Sequence, residues 1–201
     1  MKTFRLFFCV LIFNSLISLA QTVYHPTMIS VGKQRFRAEP TGNISLLRNA
    51  KVVNILYDYR YIKVDGFATE QDYIKNRQEK YYEKGDPEAA ERFAAKWYSS
   101  RKESCEPNFE KLFNKYCTRF SGQNYGTGNE ITMIVAPLLF EPGFYGPATK
   151  ATYLSFSVVF LDRNNTEFFR YILTGVPGYN VPSCFNQAAK NLSKVLLKDL
   201  R

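Results

Sequence analysis

The chain has 201 residues, of which 45% are hydrophobic and 16% aromatic, and a formal charge of +9. That length suits one domain with at most an appended arm, and fourteen Tyr with seventeen Phe supply a dense core, which excludes disorder for most of the chain. The moderate positive charge favours anionic surfaces without choosing among lipid head groups, polysaccharide and nucleic acid.

The first twenty residues read as a secretory signal peptide. Lys2 and Arg5 form a basic n-region, and Leu6 to Ile17 is an apolar run interrupted by Asn14 and Ser15. Ser18-Leu19-Ala20 puts small residues where a signal peptidase reads. The run is shorter than the roughly 20 apolar residues that a membrane span needs, so cleavage before Gln21 is expected. Cys9 sits mid-run, so the pattern of a lipid-modified cysteine is missing. Removing Lys2 and Arg5 takes the 27 basic residues to 25 against 18 acidic, a net +7. The expected product is soluble, secreted or periplasmic, without a transmembrane span. Export sets nucleic acid aside as a partner.

Gln21 to Ala50 has no sustained period and is broken by Pro26, Gly32, Pro40 and Gly42, as expected of an extended arm with at most one short strand. Within it Lys33, Arg35 and Arg37 alternate with Gln34 and Phe36, so an extended backbone aligns three cations. They make either an anion-binding strip or a charged edge that resists aggregation.

Lys51 to Val64 is the first clear strand. Val53, Ile55, Tyr57 and Tyr59 share one face while Val52 and Leu56 add apolar weight to the other, which suggests a place near the middle of a sheet. Asp58 within it is either a catalytic carboxylate or a partner of neighbouring backbone or Tyr hydroxyl. From Thr69 the period becomes helical, with Thr69 and Asp72 as an imperfect capping box. Gly85 stops that helix, and Asp86-Pro87 starts a second with Ala90, Phe93, Ala94 and Trp97 on one stripe. A third begins near Ser104 to Pro107 and carries Phe109, Leu112, Phe113 and Tyr116. Ser121 to Asn129 reads as a loop.

Ile131 to Thr174 reads as three consecutive strands. Leu154, Phe156, Val158 and Phe160 alternate with Tyr153, Ser155 and Ser157. Beyond a turn at Asp162 to Asn165, Phe169, Tyr171 and Leu173 alternate with Arg170. Pro182 to Leu200 closes the chain as an amphipathic helix. Its stripe is Phe185, Ala188, Ala189, Leu192, Val195, Leu196 and Leu200, with Lys190, Lys194 and Lys198 opposite. Leu197 and Asp199 break the pattern. The expected fold is a two-layer α+β domain over 51–201, its mainly antiparallel sheet of about four strands covered by helices. The expected order is strand, helices, three strands, helix.

Export also governs the cysteines. Cys105, Cys117 and Cys184 follow the signal. If one helix runs from Pro107 to Phe120, Cys105 and Cys117 lie about 18 Å apart at 1.5 Å per residue, beyond the roughly 7 Å a disulfide spans. Either Cys184 pairs with Cys105 or Cys117, or all three are buried thiols.

Motifs for chemistry are few. His25, the single histidine, lies near the expected N-terminus and cannot by itself complete a triad or a zinc site. No dinucleotide, phosphate-loop or nucleophile-elbow pattern is present, so no cofactor is expected. Asp58, Glu141 and Asp162 are the acids open to carboxylate chemistry, but no spacing singles out a pair. Glu141-Pro142-Gly143-Phe144-Tyr145-Gly146-Pro147 stands out. Its prolines stiffen a loop whose two aromatics are either binding anchors or a plug over the core.

KVVNILYDY, AAKWYSSRKESCEPNFEKLFN, EPGFYGPA and NQAAKNLSKVLLKDL together resemble the uncharacterised secreted and cell-envelope proteins widespread in Bacteroidetes-type bacteria, over roughly Lys51 to Leu200. The resemblance implies a periplasmic or surface setting and an α+β fold, and carries over no catalytic residue. Three functions compete. The first is a non-catalytic envelope protein binding a protein or glycan partner through Phe144, Tyr145 and the basic strip. The others are an electrostatic binder of anionic lipid or polymer, and a carboxylate-based hydrolase acting on polysaccharide.

Overall fold

The computed structural model describes residues 36–124, 130–143 and 151–201. In chain order the elements are β1 (Arg37–Gly42), a 3-10 helix (Ile44–Asn49), β2 (Val52–Tyr57), β3 (Lys63–Val64), α1 (Glu70–Tyr82) and α2 (Pro87–Ser100). A π turn (Arg101–Cys105), α3 (Glu106–Tyr116), β4 (Ser121–Asn124), β5 (Thr132–Glu141), β6 (Thr152–Leu161), β7 (Glu167–Gly178) and α4 (Val181–Asp199) follow.

Among the described residues the strands form one seven-stranded mixed sheet in the order β1-β7-β6-β5-β2-β4, with β3 pairing on β5. The alternation in β6 and β7 gives the antiparallel run β5-β6-β7, and β1 adds to β7 in the same sense. β2 pairs in parallel with both β4 and β5. A long helical crossover separates β2 from β4, and parallel pairing needs such a crossover, whereas a tight hairpin imposes the antiparallel sense.

This overturns the expected sheet of about four mainly antiparallel strands and the order strand, helices, three strands, helix. The strands beyond those four lack an apolar period. β1 is the one short strand the arm allowed, β3 is the end of the strand expected over Lys51–Val64, which breaks after Tyr57, and β4 is new. β1 reads RAEPTG and is exposed along most of its length; β3 has two residues; β4 reads SGQN, inside the stretch taken for a loop. Pairing with long neighbours makes them strands, where their own propensities do not. The 3-10 helix sends Leu47 into the core, so this part of the arm belongs to the folded body.

Helix boundaries follow local chemistry. Thr69 Oγ1 accepts from Asp72 N (3.1 Å) and Asp72 Oδ2 accepts from Thr69 N (3.0 Å), a complete capping box at α1. Asp86 Oδ1 accepts from Ala89 N (2.9 Å) ahead of Pro87 in α2. The expected start of a third helix is instead a widening. α2 runs through the π turn into α3, and Glu106 N–H reaches Arg101 O. Pro107 has no N–H to give just beyond that shift in hydrogen bonding.

The helices share one core with a face of the sheet. Val53, Ile55, Met133, Val135, Phe156, Val158, Phe160, Phe169 and Leu173 meet Phe109, Phe113, Phe185, Leu192 and Leu196 there. β5 carries Pro137 in mid-sheet because the register slips between Pro137 and Leu139, a bulge that tolerates a missing N–H.

Candidate functional site

Two regions hold the residues open to function. The first is the end of the sheet where β5 and β7 finish and β6 begins. Glu141 pairs with Tyr153, and Thr152 pairs with Gly178. Gly143 N donates to Thr152 Oγ1 (3.2 Å), which fastens the first residues after β5 to the start of β6. Tyr179 follows Gly178 directly and is 79% exposed. Its backbone is held nonetheless. Ser183 Oγ accepts from Tyr179 N (2.6 Å) and Asn180 N (2.9 Å), while Asn180 Oδ1 accepts from Ser183 N (2.9 Å). A Cβ on Gly178 would meet Ser183 Oγ at 2.5 Å and Cys184 Sγ at 2.7 Å, so only glycine fits beneath the capping turn. The result is a largely exposed aromatic residue on a fixed backbone.

Arg37 is exposed at the start of β1 and pairs with Thr174, four residues before Gly178 on β7. At about 3.3 Å per residue that places it roughly 13 Å along the strand from this end. Lys33, Arg35, Phe144 and Tyr145 lie outside the described residues. Tyr179 escaped notice in the sequence although Pro177-Gly178-Tyr179-Asn180-Val181-Pro182 repeats the signal of the 141–147 stretch, a Pro-Gly pair followed directly by an aromatic and closed by a second Pro.

The second region is a buried polar cluster around the π turn. Glu70 accepts from Trp97 Nε1 (2.7 Å) and pairs with Arg101. The Arg101 guanidinium lies 4.3 Å over the Tyr59 ring and 5.1 Å from that of Tyr98. Lys102 Nζ donates to Glu106 Oε2 (2.8 Å), and the single proton of Tyr57 Oη faces two acceptors, Glu106 O (3.1 Å) and Glu110 Oε1 (3.3 Å). Asp58 Oδ1 accepts from the backbone N (3.0 Å) and Nε (2.9 Å) of Arg60, and its Oδ2 accepts from Nη2 (2.7 Å). The carboxylate serves its neighbouring turn. Sequence reading missed this cluster because its members lie tens of residues apart and obey no spacing.

The electrostatics of these groups point away from nucleophilic chemistry. Burial, then Glu110 and Glu106, pushes the Tyr57 phenol far above its ordinary range; burial, then Glu106 and Cys105, does the same to Tyr59. Burial pushes the Cys105 and Cys184 thiols up to about 12. Each is held in its neutral form. The three acids open to hydrolysis are not brought together. Asp162 Oδ1 accepts from Asn164 N and Thr166 N (both 2.8 Å) in the β6–β7 turn. Glu141 is at the opposite end of β6, about 30 Å away at 3.4 Å per residue. Asp58 N donates to Val135 O (3.1 Å), partway along β5. Among the described residues no group of three or more His, Cys, Asp or Glu could hold a metal ion. Nor is any helix among them long and apolar enough to cross a membrane.

No family model and no curated protein matches the chain. Among solved structures it is similar to the PelC dodecamer from Paraburkholderia phytofirmans, at TM-score 0.43 and 13% identity over 83% of this chain and 97% of that one. A point variant of the same dodecamer gives TM-score 0.40 at the same identity and coverage. Nothing is carried from either to this chain.

Proposed function

We propose that this protein is an exported, non-catalytic module that binds a protein or glycan partner of the cell envelope at the sheet end carrying Tyr179. The observation behind this reading is the pairing of a 79% exposed ring with a backbone fixed by Ser183 and Asn180. Contact there immobilises a side chain with two rotatable bonds and no loop, so the ordering cost of binding is small. Phe144 and Tyr145, which follow Gly143 in the sequence, are the further contact pair in this reading. Arg37 at the start of β1 contributes attraction for anionic groups, to which Lys33 and Arg35 add charge in the sequence just before it.

The test uses purified chain and two probes, insoluble cell-wall glycan and solubilised envelope protein. Tyr179→Ser should leave stability within about 0.5 kcal/mol, as for exposed positions, and should lower retention on one probe. The double change of Phe144 and Tyr145 to Ser should lower retention on the same probe. Unchanged retention for both variants on both probes excludes this sheet end as the binding surface. A loss of several kcal/mol in the double variant would identify the loop as a plug.

A further inference from the structure

Two contacts show how α3 and α4 lie against each other. Ser193 Oγ, which donates to Ala189 O (2.8 Å), lies 3.4 Å from Phe113 O, a sequence separation of 80. Just past the two helix ends Arg119 Nη2 donates to Leu200 O (3.0 Å), a separation of 81. Both contacts advance in the same direction, so the helices run side by side and parallel, with facing turns about 80 residues apart. Ala188, Ala189 and Ser193 are fully buried on α4, and such small residues let two helix backbones approach closely. Carrying the offset back eight residues from Phe113, through continuous helix, reaches Cys105. The same step on α4 reaches Phe185, the residue next to Cys184.

An independent contact puts these turns together. The Tyr59 ring lies 6.2 Å from that of Phe185, beside Cys184, and 4.3 Å under the guanidinium of Arg101, in the π turn that ends at Cys105. Cys117 is twelve residues further along α3, about 18 Å away at 1.5 Å per residue, and the offset sets it level with Leu197. All three thiols are free and buried in this structure, and Cys105 is the one whose turn lies beside that of Cys184. We propose that Cys105 and Cys184 are a disulfide-forming pair that ties the π turn to the first turn of α4, with Cys117 left as a thiol.

The bond forms by exchange with a disulfide oxidant. A thiolate of the pair attacks the oxidant's disulfide and expels one of its sulfurs as a thiolate, and the second thiolate attacks the protein sulfur of the mixed disulfide and expels the other. One S–S bond forms in the protein as the oxidant is reduced to two thiols, which take up the two protons. Burial and the neighbouring Cys105 together disfavour the Cys184 thiolate, so the bond is made during folding, before the helices close over both sulfurs.

The inference is independent of the binding reading. The full chain is unfolded under reducing conditions and refolded in a buffer of reduced and oxidised glutathione. Remaining thiols are then alkylated and the digest mapped without reduction. The expected result is one cross-linked peptide pair joining Cys105 to Cys184, with Cys117 alkylated, and a melting temperature that falls when reductant is added. Cys117→Ser should keep the cross-link, and Cys184→Ser should abolish every intramolecular one. Alkylation of all three thiols in the refolded protein, or a bridge using Cys117, overturns the proposal.

Discussion

The phenol of Tyr171 on β7 donates to Asp199 Oδ2 near the end of α4, joining sheet and helix across 28 residues. Asp199 is the acid that breaks the apolar stripe of that helix, and Tyr171 is 1% exposed. The break in the pattern is the partner of a buried hydroxyl, which would otherwise have no acceptor. Asp199→Ala should cost about 1–3 kcal/mol, the usual penalty for stranding a buried polar group. Chemical denaturation of Asp199→Ala, Tyr171→Phe and the double variant checks it. Strictly additive losses would show that the bond is not made.

High pH should unfold the reduced protein through its buried phenols and thiols. Burial, then the bond to Asp199, raises Tyr171 above its ordinary range, and Tyr57 and Tyr59 are raised as described. In the unfolded chain these phenols ionise near pH 10, so above that pH the unfolded state binds fewer protons than the folded one. Stability is complete below this range and falls as pH rises through it, by about 1.4 kcal/mol per pH unit for each phenol. Cys105 and Cys184, pushed up to about 12, add a fall of the same sign, beginning near pH 8.5. Urea midpoints should drop progressively across this range, and Tyr171→Phe should flatten the drop above about pH 10. Constant midpoints would contradict the burial of these groups.

Arg101 is the partner of buried Glu70 and lies over Tyr59. Arg101→Leu should therefore cost about 3–5 kcal/mol, since it leaves a carboxylate buried without its cation. Adding Glu70→Gln to that variant should restore part of the loss, which equilibrium unfolding of the two variants will show.

Much of this was open to sequence reading where side chains keep a period. The β6–β7 alternation, the boundaries of α1 and α2 and the stripe of α4 all follow from local spacing. The stripe is testable in the same way: Leu192→Ala or Leu196→Ala, both fully buried, should each cost about 2–5 kcal/mol on thermal or chemical unfolding. β4 and the pairing of β1 stayed hidden because their strand character is conferred by β2 and β7, not by their own residues. The parallel sense of β2 stayed hidden because a strand reads the same in either direction. At the sheet end, Tyr179 was legible in type and illegible in exposure, since the same Pro-Gly-aromatic pattern serves plugs and anchors alike.

The outer edge of the sheet at β4 has its own protection. Asn114 Nδ2 donates to Gly122 O (2.8 Å) and its Oδ1 accepts from Gly122 N (2.6 Å), so one amide side chain takes both backbone groups that another strand would seek. Asn114→Ala should increase self-association at high concentration, measurable by light scattering, with thermal stability lowered by about 1–3 kcal/mol. Light scattering that matches the parent protein at every concentration would remove Asn114 as the guard of this edge.

The π turn also acts on phase. An α-helix turns about 100° per residue, so sixteen residues of uninterrupted α-helix from Trp97 to Phe113 would rotate one relative to the other by about 160°. They would then face nearly opposite sides. A π turn absorbs one additional residue and brings the difference back to about 60°. Trp97 can thus lie 5.4 Å from Phe140 while Phe113 stacks 6.1 Å from Phe109 in the same core. Without that correction one of the two rings would turn toward water, and α2 and α3 could not serve a single sheet face as one continuous rod.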